Sequence, residues 1–171
     1  MSDRSQDLAQ RIARAGAQIE PQLSDDDLER LMIAARTIGV AERALEMAIK
    51  RAKSRVAFGQ RISEMGVTKA HVADMRMEID MARLLVLKAA WAMDKFGNKE
   101  ARQQIAMIKV AVPNITSKVV DRCLQLHGAG GVSQVFKLAS MYAHQRTLRL
   151  ADGPDEVHRD QVGRLEIAKY N

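Results

Sequence analysis

The chain has 171 residues, of which 47% are hydrophobic and 28% charged, with only 4% aromatic and a formal net charge of +6. That profile suits one compact domain with enough apolar surface for a core, and it excludes a disordered chain. Scarce aromatic residues work against a β-rich fold and against base stacking, so nucleic acid is not an expected partner, and the single cysteine, Cys123, excludes a disulfide framework and a multi-cysteine zinc site.

Residues 1–23 read as a polar arm or a short helix, with Leu8, Ile12, Ala15 and Ile19 at helical spacing. The helical domain is expected over 24–171. Ser24 followed by Asp25, Asp26 and Asp27 predicts an N-cap and an acidic first turn. The first long helix should then run to about Ala57, its apolar positions Ile33, Val40, Ala44, Leu45, Ala48, Ala52 and Val56 recurring three or four apart, until Phe58-Gly59 ends it. Thr68 is the predicted cap of the second helix, in which Val72, Met75, Ile79, Ala82, Val86, Ala89, Met93 and Phe96 form a heptad seam.

Gly97-Asn98 separates it from a third helix that begins near Lys99 and carries Ile105, Ile108, Val112, Ile115, Val119 and Leu126. Pro113 should bend this helix without stopping it, because the periodicity continues on both sides. A glycine break at 128–131, a fourth helix from Val135 to Arg149, and a fifth with Pro154 in its first turn complete the pattern. The expectation is all-α: an antiparallel, up-down four-helix bundle with a short extra helix. With no apolar leader and no run of about 18 apolar residues, a cytoplasmic protein without membrane insertion is expected.

Three stretches could carry chemistry. Arg55 and Phe58, three apart before Gly59, form either a charged helix end with its glycine stop or a clamp with guanidinium on phosphate and ring on base. Gly128-Ala129-Gly130-Gly131 follows a helix instead of a strand, so it is no dinucleotide fingerprint; it is a helix-ending turn or a set of backbone N–H groups that hold a phosphate oxygen. Asp152-Gly153-Pro154-Asp155-Glu156 is either a helix cap with an acidic first turn or a carboxylate base between two helices.

Together these stretches resemble the C-terminal helical domain of the acyl-CoA dehydrogenase family, in the same order from about Asp27 to the end. Arg55 to Gly59 is similar to the family's Arg-x-x-Phe-Gly element, Gln125-Leu126-His127-Gly128-Ala129-Gly130-Gly131 to its glutamine-glycine element, and Ala151-Asp152-Gly153-Pro154 to the Glu-Gly-Thr loop that carries its base. The run Asp-Gly-Pro-Asp-Glu-Val-His resembles a sub-branch that departs from Glu-Gly-Thr. The resemblance implies that Asp152 removes the α-proton of an acyl-CoA thioester while the β-hydrogen leaves as hydride to FAD. It also implies that the Asp152 backbone N–H helps polarise the thioester carbonyl.

By the same resemblance, Arg55, Phe58, Gln125, Gly128 and Ala129 contact the FAD of a neighbouring subunit, and Pro154 and Glu156 the domain's own FAD. Arg30 and Gly153 lie on the substrate side, and Glu29 is the alternative base, since some relatives carry theirs on that helix. Implied partners are an acyl-CoA substrate, further copies of the chain as dimer or tetramer, and an electron-transfer flavoprotein or other acceptor. Complete members hold the flavin with additional domains, so by resemblance this chain alone is expected to be inactive. Two other readings are a non-catalytic helical oligomerisation module and a nucleic-acid-binding helical protein.

Overall fold

A computed structural model describes residues 24–170; the segment 1–23, with its expected arm or helix, lies outside them. Three long helices dominate: α1 (Asp25–Ser54), α2 (Gly66–Phe96) and α3 (Asn98–His127). They are followed by a single helical turn, α4 (Ala129–Val132), then α5 (Leu138–Thr147) and α6 (Asp155–Ile167). The helices run up and down. Arg76 and Arg83 of α2 both pair with Glu42 of α1, and Arg122, late in α3, pairs with Glu78, early in α2. The Asn98 amide at the start of α3 donates to Ser24 Oγ and Asp27 Oδ2 at the start of α1, at 2.9 and 3.0 Å, so α1 and α3 are parallel and begin together.

The core follows the periodic positions. Met75, Ile79, Ala82, Val86 and Ala89 of the α2 seam are buried against Ala41, Ala44, Leu45 and Ala48 of α1 and Ile108, Val112, Val119 and Val120 of α3, while Met93 is buried in a second cluster with Ala92, Ala101 and Ile105. Alanines on α1 and α2 allow close helix approach, and α3 is central, touching every other helix. Ser24 caps α1 as predicted, its hydroxyl accepting from the Asp27 N–H at 3.3 Å. α3 continues through Pro113. Thr116 and Ser117 return hydroxyl bonds to the carbonyls of Val112 and Pro113, serving backbone acceptors around the proline.

Several boundaries differ from the sequence expectation. α1 stops at Ser54 because Arg55 turns extended, and Val56–Ala57 pairs antiparallel with Gln60–Arg61 in a small hairpin. Val56 consequently leaves the core and is exposed. Met65, not Thr68, occupies the N-cap of α2; Thr68 sits buried in the first turn. Phe96 ends the seam outside the core, edge-to-face with Trp91.

The glycine run is not merely a break, since it holds α4, and the next helix starts at Leu138 instead of Val135. Ser133 explains the delay: its hydroxyl donates to the Gly130 carbonyl at 2.7 Å and accepts the Val135 N–H, competing with helical bonding. Pro154 is the N-cap of α6, one position before its first turn. Among the described residues no helix is long and apolar enough to cross a membrane.

Candidate active site

Asp152 lies on the turn between α5 and α6, in the left-handed region with φ +53°, and Gly153 follows at φ +96°. Such a φ is uncommon for a side chain other than Asn or Asp. The Asp152 carboxylate is exposed and has no hydrogen bond or ion pair with any described residue, and its N–H donates to no described backbone carbonyl. The backbone around it is held by side chains at three carbonyls. The Asp152 carbonyl accepts from His158 Nε2 at 2.9 Å, and Lys109 Nζ donates to the carbonyls of Leu148 at 2.8 Å and Gly153 at 3.2 Å. A Cβ on Gly153 would stand 3.0 Å from His158 Nε2, so the close approach requires glycine.

Lys109 is only 1% exposed, and burial pulls its ammonium below the usual lysine range, with Asp152 and Asp155 acting in the opposite direction. Asp155, first in α6, is also buried. Its Oδ2 accepts from Asn114 Nδ2 at 2.9 Å and Arg149 Nε at 2.8 Å. Burial would raise its titration, but these two bonds outweigh it and hold the carboxyl below the ordinary value. Asp155 was legible in sequence only as a first-turn acid; the structure makes it the anchor of the turn to α3.

Arg30 is half-buried and ion-paired with Asp27 at 2.7 Å, while its Nε is buried without a partner. It lies close enough to Lys109 to oppose that residue's charge. Glu29 lines a groove of about 530 Å³ between α1 and α5, with Ile33, Thr37, Met141, Gln145 and Leu148. Thr37 Oγ1 and Gln145 Nε2 are buried there without partners. Leu148, whose carbonyl Lys109 grips, links this groove to the Asp152 turn. Pro154 and Glu156 are exposed beside the turn.

The remaining predicted residues form a second group. Phe58 and Gly59 both have positive φ, +52° and +81°, as the centre of a hairpin turn that matches strand twist. The Phe58 ring is 96% exposed, so an apolar side chain is held in solvent on strained backbone, with Arg55 exposed beside it. Gln125, Gly128 and Ala129 are exposed where α3 ends, and Gly128 has φ +63°. Both features lie at the shared C-terminal ends of α1 and α3. Lys109 to His127 spans about 27 Å of helix at 1.5 Å per residue, so the two groups face different surroundings.

The residues that sequence reasoning missed are Lys109, Asn114, Arg149 and His158, all of which hold the Asp152 turn. One signal was available: Lys109 interrupts the apolar run Ile108 to Val112 on the buried stripe of α3.

A bundle of this topology, with a carboxylate on the turn before its last helix and a glycine loop after its third, defines a recognisable class. The sequence matches the family "Acyl-CoA dehydrogenase, C-terminal domain" over residues 25–166, and the chain belongs to it. It is 48% identical over 134 residues to the probable acyl-CoA dehydrogenase FadE2 of Mycobacterium tuberculosis, covering 78% of this chain and 33% of that protein. It is 49% identical over 132 residues to acyl-CoA dehydrogenase family member 11 of Rattus norvegicus, covering 77% of this chain and 17% of that one. A solved structure from Mycobacterium abscessus, of a protein assigned to the acyl-CoA dehydrogenases, superposes with a TM-score of 0.82 at 48% identity, over 84% of this chain and 35% of the other. The chain therefore spans a third or less of the curated relatives it matches here.

Proposed function

We propose that this domain supplies the base and part of the flavin contacts for α,β-dehydrogenation of an acyl-CoA thioester, in an enzyme completed by parts outside this chain. The observation that carries the reading is the presentation of Asp152: a free carboxylate on a left-handed turn whose own carbonyl and that of Gly153 are gripped by buried side chains. A general base needs a lone pair that the protein does not occupy, held at a fixed point. Asp152 takes the α-proton, and its unbonded N–H is available to a thioester oxygen, where a donor stabilises developing enolate charge.

The residues present fit FAD. Phe58 offers an exposed ring, Arg55 a guanidinium, and Gly128-Ala129 exposed backbone after a positive-φ glycine. FAD, when bound, supplies the acceptor for the β-hydride. The ~27 Å of α3 between Lys109, which holds the Asp152 turn, and His127, before Gly128, supports assigning Arg55, Phe58, Gln125, Gly128 and Ala129 to the flavin of another copy, with Pro154 and Glu156 beside the domain's own. Arg30 and Gly153 belong to the substrate side. Electrons then pass to an electron-transfer flavoprotein or an equivalent acceptor.

Assembly of several copies is part of the proposal. On α2, Met77, Met81, Leu84, Leu87 and Trp91 are each more than half exposed, an apolar stripe suited to a second bundle in a dimer or tetramer. A cytoplasmic location completes the reading, and cell fractionation tests it.

The test is Asp152→Asn and Glu29→Gln in a FAD-loaded enzyme containing this domain, assayed by acyl-CoA turnover and by solvent exchange of the α-proton. Asp152→Asn should lose both by roughly 10²–10⁴-fold while Glu29→Gln retains them. The reverse pattern would move the base to Glu29. Retained activity in both would overturn the reading.

A further inference from the structure

On the reading that Asp152 is the base, we propose that Lys109 and His158 are positioning residues: they fix the Asp152 carboxylate by gripping the backbone carbonyls on either side of it. Lys109 reaches from α3 to the carbonyls of Leu148 and Gly153, and His158 reaches back from α6 to that of Asp152. The three bonds come from two directions, and none touches the reactive side chain.

The placement of both residues is costly for packing alone. Lys109 buries an ammonium group almost completely, and both of its bonds go to this one turn. His158 is buried with Nδ1 unpartnered, so the ring accepts an unsatisfied nitrogen while making its single bond to the Asp152 carbonyl. Because that partner is an acceptor, Nε2 carries the proton. Asn114 and Arg149 hold Asp155 at the far end of the same turn, so the segment from Leu148 to Asp155 is tied to α3 at both ends.

The chemistry gives the clamp a purpose. An aspartate is one methylene shorter than a glutamate, so the turn itself must carry the carboxylate forward and keep it there. A misplacement of about 1 Å at a reacting group costs on the order of 10²-fold in rate. Backbone gripping secures the position without occupying a lone pair of the carboxylate, which a general base must keep free for the substrate proton.

The experiment pairs two readouts on Lys109→Met, His158→Leu and His158→Gln. Hydrogen exchange of this chain, measured by mass spectrometry on peptides covering residues 148–156, reports the turn. Steady-state kinetics of the FAD-loaded enzyme on acyl-CoA report its consequence. In Lys109→Met and His158→Leu, exchange at the turn should rise tenfold or more with α1 and α2 unchanged, and kcat should fall about 10- to 100-fold with KM within twofold. His158→Gln keeps an N–H donor and should recover most of both. If Lys109→Met does not fold, the His158 pair decides.

Unchanged exchange and kcat in the clamp variants, with Asp152→Asn inactive, would overturn the clamp alone. Equal losses in His158→Leu and His158→Gln would also overturn it, because the donor would then not matter. Turnover retained in Asp152→Asn would overturn the base assignment and the clamp with it.

Discussion

Arg149 and Asp155 close the turn that carries Asp152 on itself: Arg149 Nε donates to Asp155 Oδ2 at 2.8 Å, and the Asp155 N–H donates back to the Arg149 carbonyl at 3.2 Å. The pair brackets residues 150–154, and Asn114 fastens its carboxylate to α3. With a side chain only 3% exposed, Asp155 is the buried member, and Arg149 remains partly in water.

Removing that carboxylate should loosen the fold in a pH-dependent way. Asp155→Asn offers amide hydrogens to two donors, and a loss of about 1–3 kcal/mol is expected at pH 7. The Asp155 carboxyl titrates below its ordinary value of 3.8 in the folded chain. Its contribution is therefore complete above that value and lost as pH falls through the lower folded one. Urea unfolding should show a clear difference between wild type and variant at pH 7 that shrinks as the pH is taken below the ordinary carboxyl value. A difference independent of pH would contradict the assignment.

At the opposite end of the bundle, Phe58 should trade stability against cofactor retention. Its φ of +52° costs a non-glycine residue about 1 kcal/mol, and its exposed ring returns no packing. Phe58→Gly is expected to raise the stability of this chain by about 0.5–1 kcal/mol. In the assembled enzyme the same variant should release FAD several-fold faster, read by flavin absorbance after gel filtration. Lower stability with unchanged FAD retention would leave the ring a structural part of the hairpin.

Two glycines should respond in opposite directions to alanine. A Cβ at Gly131 would sit 2.7 Å from the Leu124 carbonyl oxygen and 3.0 Å from His127 Cβ, both fixed by α3. Gly131→Ala should cost about 1–3 kcal/mol. Gly163, inside α6, has open space around it, and Gly163→Ala should gain up to about 1 kcal/mol from helix propensity. Thermal melts of the two variants decide this directly.

Cys123 should be inert until the bundle opens. It is fully buried against Met75, with its Sγ 3.6 Å from the thioether, and burial pushes the thiol up to about 12. Reaction with Ellman's reagent at pH 8 should be absent on the minute scale in the native protein and stoichiometric in guanidinium. Fast native labelling would mean that α2 and α3 separate readily.

Much of this organisation was readable along the chain. The Ser24 cap, the α2 seam from Met75 to Met93 and the passage of α3 through Pro113 each depend on neighbours within a few residues, where spacing is a direct record of burial. Local reading failed where a side chain competed for backbone, as at Ser133 before α5, or where a turn reversed the chain, as at Phe58-Gly59. The candidate site divided in the same way. Asp152, Arg55 and Gly128 announce themselves by motif, whereas the residues that hold the Asp152 turn do not.

By itself the sequence determined the helical class, the long elements, the buried stripe and the resemblance that points to Asp152, because helix periodicity and short motifs are local properties. Only the tertiary structure decided that Lys109, 44 residues before Gly153, would grip that turn, and that Asn114 would hold Asp155 from 41 residues away. A polar group on a buried stripe must find a partner, but the partner is chosen by how α5 and α6 fold back onto α3.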